Sequence, residues 1–144
     1  MREGHAYGLA FLLWLGVIIV LPLAKTALEI VTTGPNGAKA MAAYLNENVP
    51  KGVIIETWEP EMGFFSDHKY HYPPNQLLAI AIQQVNRGGE PVQAHYDYVQ
   101  KNLPDYLLLG VFAKWVNLYP MNVLANRYTL TKTIQEYDLY KLTK

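Results

Sequence analysis

Residues 6–24 read AYGLAFLLWLGVIIVLPLA and contain no charged side chain. An uncharged run of about 19 residues is long enough to cross the hydrocarbon core of a bilayer as a helix. Its leucine, isoleucine, valine and phenylalanine side chains each favour insertion by about 0.3–0.6 kcal/mol, which outweighs the penalty for Gly8, Gly16 and Pro22. The run therefore predicts an N-terminal transmembrane helix that carries the rest of the chain as one folded domain.

Two other interpretations of this run are weaker. A cleaved signal peptide has a cationic start and a shorter apolar core, whereas here Glu3 offsets Arg2 and residues 24–27 make a poor cleavage site. A buried helix of a soluble domain normally carries polar residues on one face, and this run has almost none. We therefore expect an uncleaved transmembrane helix with a short extension over residues 1–33, and a folded domain over 36–144.

The composition limits the classes of function. The chain has 144 residues, which leaves about 110 for a domain with a single modest core. Lysine plus arginine and aspartate plus glutamate number 12 each, so the net charge is zero and no basic block is present to bind nucleic acid. The lack of cysteine excludes disulfides and thiolate metal sites.

The charges beside the apolar run say little about its orientation. Arg2 precedes the run and Lys25 follows it directly, so the positive-inside comparison is nearly tied. We expect the short N-terminal tail inside the cell and the C-terminal domain outside it, with the protein in the cell (inner) membrane.

The remainder of the chain alternates helical and strand patterns. Asn36 is a suitable N-cap for a helix with apolar residues at helical spacing. The apolar residues 53–55, followed by Glu56, Thr57 and Trp58, predict a short, largely buried strand, and the apolar run 106–110 predicts a second buried strand. The alternation within 128–134 and 137–142 predicts a C-terminal β-hairpin. These patterns predict an α/β fold: a small Rossmann-like domain whose mixed sheet has two inner strands and the hairpin at one edge.

The segments between the strands complete this pattern. Apolar residues at helical spacing predict a helix that starts near residue 75 and ends at Gly88. Residues 91–102 predict one further short amphipathic helix. The prolines at 73–74 force residues 70–72 into an extended backbone.

Five motifs follow the predicted span in a characteristic order. They are PKGVII at 50–55, EPEM at 59–62, YHYPP at 70–74, PDYLLLGVFAKW at 104–115 and YDLY at 137–140. In this order, and over nearly the whole chain, the sequence resembles the last transmembrane helix and C-terminal extracytoplasmic domain of bacterial polytopic glycosyltransferases. These are dolichyl-phosphate-mannose-protein mannosyltransferase-like enzymes, which use polyprenyl-phosphate sugars.

The resemblance implies an accessory role for this chain. Enzymes of that family carry their catalytic acidic residues in a loop near the first of many spans, and nothing in this sequence matches that loop. We therefore expect this chain to have no catalytic residue and no cofactor. We expect it to be a fragment of such an enzyme, the product of a split gene, or a free-standing accessory copy of the domain. The implied partners are the lipid bilayer, the remaining transmembrane part of a glycosyltransferase, and a sugar or lipid-phosphate ligand. The alternative is an independent single-span module that binds a ligand or acts as a sensor.

Candidate ligand-binding residues follow the two inner strands. Trp58, Glu59 and Glu61 come after the first strand, and Lys114 and Trp115 after the second. Open α/β sheets bind ligands at the carboxyl ends of their strands, and aromatic faces beside carboxylates and a lysine suit a sugar or a lipid-phosphate headgroup. Structural roles are the alternative: the glutamates can begin a helix, and the tryptophans can pack the core or face the bilayer.

A pair of histidines adds one more candidate. Asp67, His68 and His71 form the pattern D-H-x-x-H, but no third strong ligand lies nearby in the sequence. We therefore predict no metal site and retain His71 as a candidate ligand-binding residue.

Overall fold

The computed structural model describes residues 3–32 and 36–143, with side chains over 14–28 and over 36–143 except 123. The chain divides into two units between residues 35 and 36.

The first unit is a single helix, α1 (Glu3–Thr32), which has Pro22 inside it. The helix predicted from residues 6–24 is therefore present. Several of its described side chains are both apolar and exposed: Trp14, Val17, Ile18, Ile19, Val20, Leu21, Leu23 and Leu28. Within the described ranges, no helix has the combination of length and hydropathy that crossing a membrane requires.

The second unit alternates short helices and strands. Its helices are α2 (Gly37–Asn48), α3 (Met62–Phe65), α4 (Gln76–Arg87), α5 (Tyr98–Asn102), α6 (Val111–Trp115) and α7 (Met121–Leu124), with a 3-10 turn at Val92–His95. Its strands are β1 (Ile54–Thr57), β2 (Lys69–His71), β3 (Tyr106–Leu109), β4 (Tyr128–Ile134) and β5 (Tyr137–Leu142). Asn36 caps α2 as predicted, because its side-chain oxygen accepts hydrogen bonds from the backbone N–H groups of Ala38 and Lys39 at 2.9 and 3.3 Å.

The five strands form one mixed sheet in the order β2-β1-β3-β5-β4. Strand β1 pairs in parallel with β2 and β3, β5 is antiparallel to β3, and β4 completes an antiparallel hairpin with β5. The predicted α/β fold, with a mixed sheet and a C-terminal hairpin at one edge, is confirmed. The two predicted inner strands are present as β1 and β3, and the prediction lacks only β2, which pairs in parallel with β1 at the opposite edge of the sheet.

Helices cover both faces of the sheet, so the core has two parts. Alternation along β3 directs Tyr106 and Leu108 to the face covered by α2 and α3. Leu107 and Leu109 point to the other face, which α4 to α7 and the 3-10 turn cover. All four side chains are buried, and burial on both faces explains why this strand is a continuous apolar run.

The two sides of α4 have different surroundings. Leu77 and Ala81 are buried against the sheet. Leu78, Ile82 and Val85, which share a face at helical spacing, are exposed. The helix therefore has two apolar sides: one packs against the core, and the other is an exposed stripe on the surface of the domain.

The segment after α4 differs from its prediction. Gly88 ends α4 as predicted, in the left-handed conformation with φ at 68°. The single helix predicted over residues 91–102 is wrong: the segment is a 3-10 turn followed by α5. The two pieces separate at Tyr96, whose backbone is extended, with φ at −140° and ψ at 107°.

Candidate functional site

A cleft opens at the carboxyl ends of the parallel strands. The chain leaves β1 toward α3 on one face of the sheet and leaves β3 toward α6 on the other, a divergence that creates a crevice between neighbouring strands. The cleft has a volume of about 590 Å³. It is lined by Trp58, Pro60, Phe64, Tyr72, Pro73, Asn75, Leu78 and Phe112. None of these side chains is charged, so the cleft offers mainly aromatic and aliphatic surface.

One of the predicted binding residues, Trp58, contributes to this aromatic surface, and a second, Trp115, lies next to it. Trp58 lines the cleft and contacts Phe112 edge to face, with 4.9 Å between the ring centroids. Trp115 lies beside the same Phe112 ring, at 6.1 Å between centroids, and is 64% exposed. Both tryptophans are therefore near the cleft, and Trp58 also packs partly against the core.

Glu59 lies at the junction between β3 and α6. Its carboxylate is buried and accepts a hydrogen bond from the backbone N–H of Ala113 at 3.3 Å. Burial raises the pKa of Glu59, and hydrogen bonds from the backbone N–H groups around the start of α6 partly oppose that rise. The carboxyl group lies so close to Gly110 that any side chain at position 110 would clash with it. Glu59 therefore has a structural role at this junction.

Glu61 and Lys114 connect their loops to the C-terminal hairpin. The Tyr137 hydroxyl donates a hydrogen bond to the Glu61 carboxylate at 2.7 Å, and burial together with this bond raises the pKa of Tyr137. Lys114 Nζ lies 2.7 Å from the Asp138 carboxylate and donates to the backbone oxygen of Glu136 at 2.6 Å. Both predicted binding residues therefore have partners within the protein.

Glu56 is a fully buried carboxylate in β1 that belongs to none of the sequence motifs. Its Oε1 atom accepts hydrogen bonds from the hydroxyls of Tyr96 and Tyr119, at 2.6 and 2.9 Å. Its Oε2 atom lies 2.5 Å from Nδ1 of His71. Burial raises the pKa of Glu56, while the hydrogen bonds from the two tyrosines and the histidine oppose the rise.

His71 connects this buried carboxylate to the surface. It is the last residue of β2 and lies directly opposite Glu56 in the pairing with β1. Its ring stacks on Tyr98, with 3.6 Å between centroids and 4° between planes. The side chain is 36% exposed. One edge of the imidazole is therefore fixed by a buried carboxylate while another part of the ring reaches solvent.

The two histidines of the D-H-x-x-H pattern have separate partners. His68 is buried, with Nε2 at 3.0 Å from the backbone oxygen of Val49, and its Nδ1 has no hydrogen-bond partner among the residues that the structure describes. His71 is bonded to Glu56 instead. In the part of the chain that the structure describes, no group of three or more histidine, aspartate or glutamate side chains is placed to bind a metal ion.

The buried tyrosines give an expected alkaline limit to stability. Burial and the neighbouring Glu56 carboxylate raise the pKa of Tyr96 and of Tyr119 above the ordinary value. A group whose pKa is raised on folding stabilises the folded state fully below its unfolded pKa, and that contribution is lost as the pH rises toward the folded value. We therefore expect the free energy of unfolding to fall above about pH 10.

Urea unfolding at graded pH, followed by phenolate absorbance and near-UV circular dichroism, tests this expectation. The phenolate signal of Tyr96 and Tyr119 should appear only as the tertiary signal disappears. A native near-UV spectrum at a pH where all 11 tyrosines are ionised would contradict it.

The arrangement can bind a ligand that is apolar on one side and polar on the other. Aromatic rings in the cleft suit the apolar face of a sugar or an isoprenoid chain. The partly exposed imidazole of His71, which directly precedes the cleft residues Tyr72 and Pro73 in the chain, can hydrogen-bond a polar group. Comparison with protein-family models, curated proteins and solved structures finds no match for this chain.

Proposed function

We propose that residues 36–144 form a non-catalytic accessory domain that binds a polyprenyl-phosphate-linked sugar for a membrane glycosyltransferase. The observation that carries this proposal is the uncharged aromatic cleft at the carboxyl ends of the parallel strands. Its volume of about 590 Å³ lies within the range of small-molecule sites, roughly 300–1,000 Å³. The order of sequence motifs that resembles the C-terminal domain of such enzymes supports the choice of ligand.

Two finer assignments belong to the same proposal. The first is that the helix at residues 6–24 anchors the domain in the inner membrane, with the domain on the extracytoplasmic side. The uncharged sequence of this run supports it, as do the exposed apolar side chains of the described part of α1, which need an apolar environment. The second is that the domain is Rossmann-like, which the parallel arrangement of β1, β2 and β3 supports.

The position of Phe64 gives the sharpest test of the cleft. Phe64 lines the cleft and is 85% exposed, so its removal should not affect folding. The loss of one aromatic contact with the ligand is expected to cost about 1–2 kcal/mol of binding, which is a roughly 5- to 30-fold lower affinity. We expect this loss for Phe64→Ala when citronellyl phosphate, a short isoprenoid phosphate, is titrated into the full chain in lipid nanodiscs.

The neighbouring Phe65 supplies the matched control. It is outside the cleft lining, and its ring contacts Lys39, with Nζ 5.7 Å from the ring centroid. Phe65→Ala should bind citronellyl phosphate with wild-type affinity, after subtraction of the signal from empty nanodiscs. Equal affinities of the two variants, or no binding to the wild-type chain, would reject the proposal.

A further inference from the structure

We propose that His71 binds a phosphoryl oxygen of the ligand through an N–H group at Nε2, which the hydrogen bond between Nδ1 and Glu56 holds in place. The identity of the ligand rests on the function proposed above. The N–H donor itself rests on the geometry around Glu56, and the two can be tested separately.

The number of protons shared by Glu56 and His71 decides whether Nε2 of His71 carries a hydrogen. Glu56 is sealed from water, and its hydrogen-bond partners among the described residues are two phenols and one imidazole. None of these is a permanent cation, and a buried negative charge without compensation is costly. The pair becomes neutral when one proton lies in the bond between Glu56 and His71 and a second lies on the other ring nitrogen. In that state Nε2 carries a hydrogen, whichever atom of the bond holds the first proton.

Two contacts fix the orientation of the His71 ring, and with it the direction of the N–H group at Nε2. The bond to Glu56 fixes Nδ1, and the close parallel stack on Tyr98 fixes the plane of the ring. Among the described residues Nε2 makes no hydrogen bond, and the side chain is partly exposed. A donor with a fixed direction and no internal partner loses little freedom when a ligand arrives, which favours binding.

His71 is close in the chain to residues that line the cleft. Tyr72 and Pro73, which line the cleft, directly follow His71, and adjacent Cα atoms are about 3.8 Å apart. Trp58 follows the end of β1, two residues after Glu56, and both side chains contact the same part of the core, Glu56 through Tyr96 and Tyr119. Since His71 and Pro73 are two residues apart in an extended stretch of chain, about 7 Å, the imidazole lies next to the cleft lining without being part of it. A ligand that fills the cleft with its apolar part can reach His71 with a phosphate.

The charge distribution of the Glu56–His71 pair favours a particular chemical group of the ligand. When the proton of the shared bond lies on Nδ1, the pair has its negative end buried at Glu56 and its positive end at the imidazole, which favours an anionic oxygen over a neutral one. A phosphate supplies such an oxygen, either as a lipid-linked ester or as free inorganic phosphate. Titration with inorganic phosphate and with citronellyl phosphate distinguishes these two sources.

Nitrogen-15 NMR of histidine-labelled full chain in nanodiscs tests the donor without any mutation. We expect the Nε2 signal of His71 to be that of a protonated nitrogen, and to shift with inorganic phosphate and with citronellyl phosphate but not with citronellol. His71→Gln is expected to weaken citronellyl phosphate binding roughly 10- to 100-fold and to leave citronellol binding unchanged. His95→Gln is the control, because His95 pairs with Glu90 at 3.1 Å.

The outcomes separate the two proposals. An unprotonated Nε2, or an Nε2 signal that shifts with neither phosphate, would overturn the proposed role of His71. In that case the proposal that the cleft binds an isoprenoid is still supported if citronellol and citronellyl phosphate bind equally well. If neither isoprenoid binds while inorganic phosphate still shifts the His71 signal, the proposed function fails and His71 remains a site for free phosphate.

Discussion

Replacement of Leu108 by aspartate is expected to abolish the cooperative folding of residues 36–144. Leu108 is fully buried in β3, the central strand of the sheet. A carboxylate at this position has no partner, and an unpaired buried charge costs about 4–5 kcal/mol or more. That cost is comparable with the total stability of a small domain, about 5–15 kcal/mol. Far-UV circular dichroism should show loss of strand signal, and a thermal scan should show no cooperative transition.

Leu130→Asp is the matched control for this variant. Leu130 lies on the edge strand β4 and is 49% exposed. The same substitution there leaves the new carboxylate in water, so the free energy of unfolding should change by no more than about 0.5 kcal/mol. If Leu108→Asp melts like the control, β3 is not the buried centre of the sheet and the two-faced core is wrong.

The sequence predicts those parts of the fold whose signals are local. The cap at Asn36, the apolar run of β3 and the paired alternations of the hairpin each lie within one short segment, and each is present. Strand β2 has only three residues, Lys69–His71, and their sequence KYH is not an apolar run. It becomes a strand because β1 offers it a free edge, which is information from outside the segment.

The candidate site follows the same rule. The carboxyl ends of the inner strands are visible in the sequence, and Trp58 is found there beside the cleft. The partners of Glu56 lie 15, 40 and 63 positions away along the chain, so no spacing rule can pair them. One signal was available: a glutamate inside a run expected to be buried requires hydrogen-bond partners. That signal identifies Glu56 but does not identify the tyrosines or His71.

Glu56→Ala is also expected to have a large effect and to destabilise the domain by about 3 kcal/mol or more. The substitution removes the acceptor for the hydroxyls of Tyr96 and Tyr119, and each buried hydroxyl left without a partner costs about 1–3 kcal/mol. Truncation also leaves a cavity in place of the side chain. For a domain of this size the melting temperature should fall by about 12 °C or more, measured by calorimetry or circular dichroism.

Glu56→Gln separates the loss of the acceptor from the loss of the charge. The amide oxygen can still accept from Tyr96 and Tyr119, and the amide removes a carboxyl group whose ionisation is costly at a buried position. We expect its stability to stay within about 1 kcal/mol of wild type. Equal losses for the alanine and glutamine variants would mean that the tyrosine hydroxyls do not depend on this acceptor.

An apolar replacement of the whole cluster gives the most direct test of this explanation. Removal of all the buried polar partners together can be nearly neutral, whereas removal of one is costly. Glu56→Leu combined with Tyr96→Phe and Tyr119→Phe should therefore be more stable than Glu56→Ala. His71, which is partly exposed, can then bond to water instead of the carboxylate. If the triple variant is no more stable than Glu56→Ala, the cost lies in packing and not in unpaired hydroxyls.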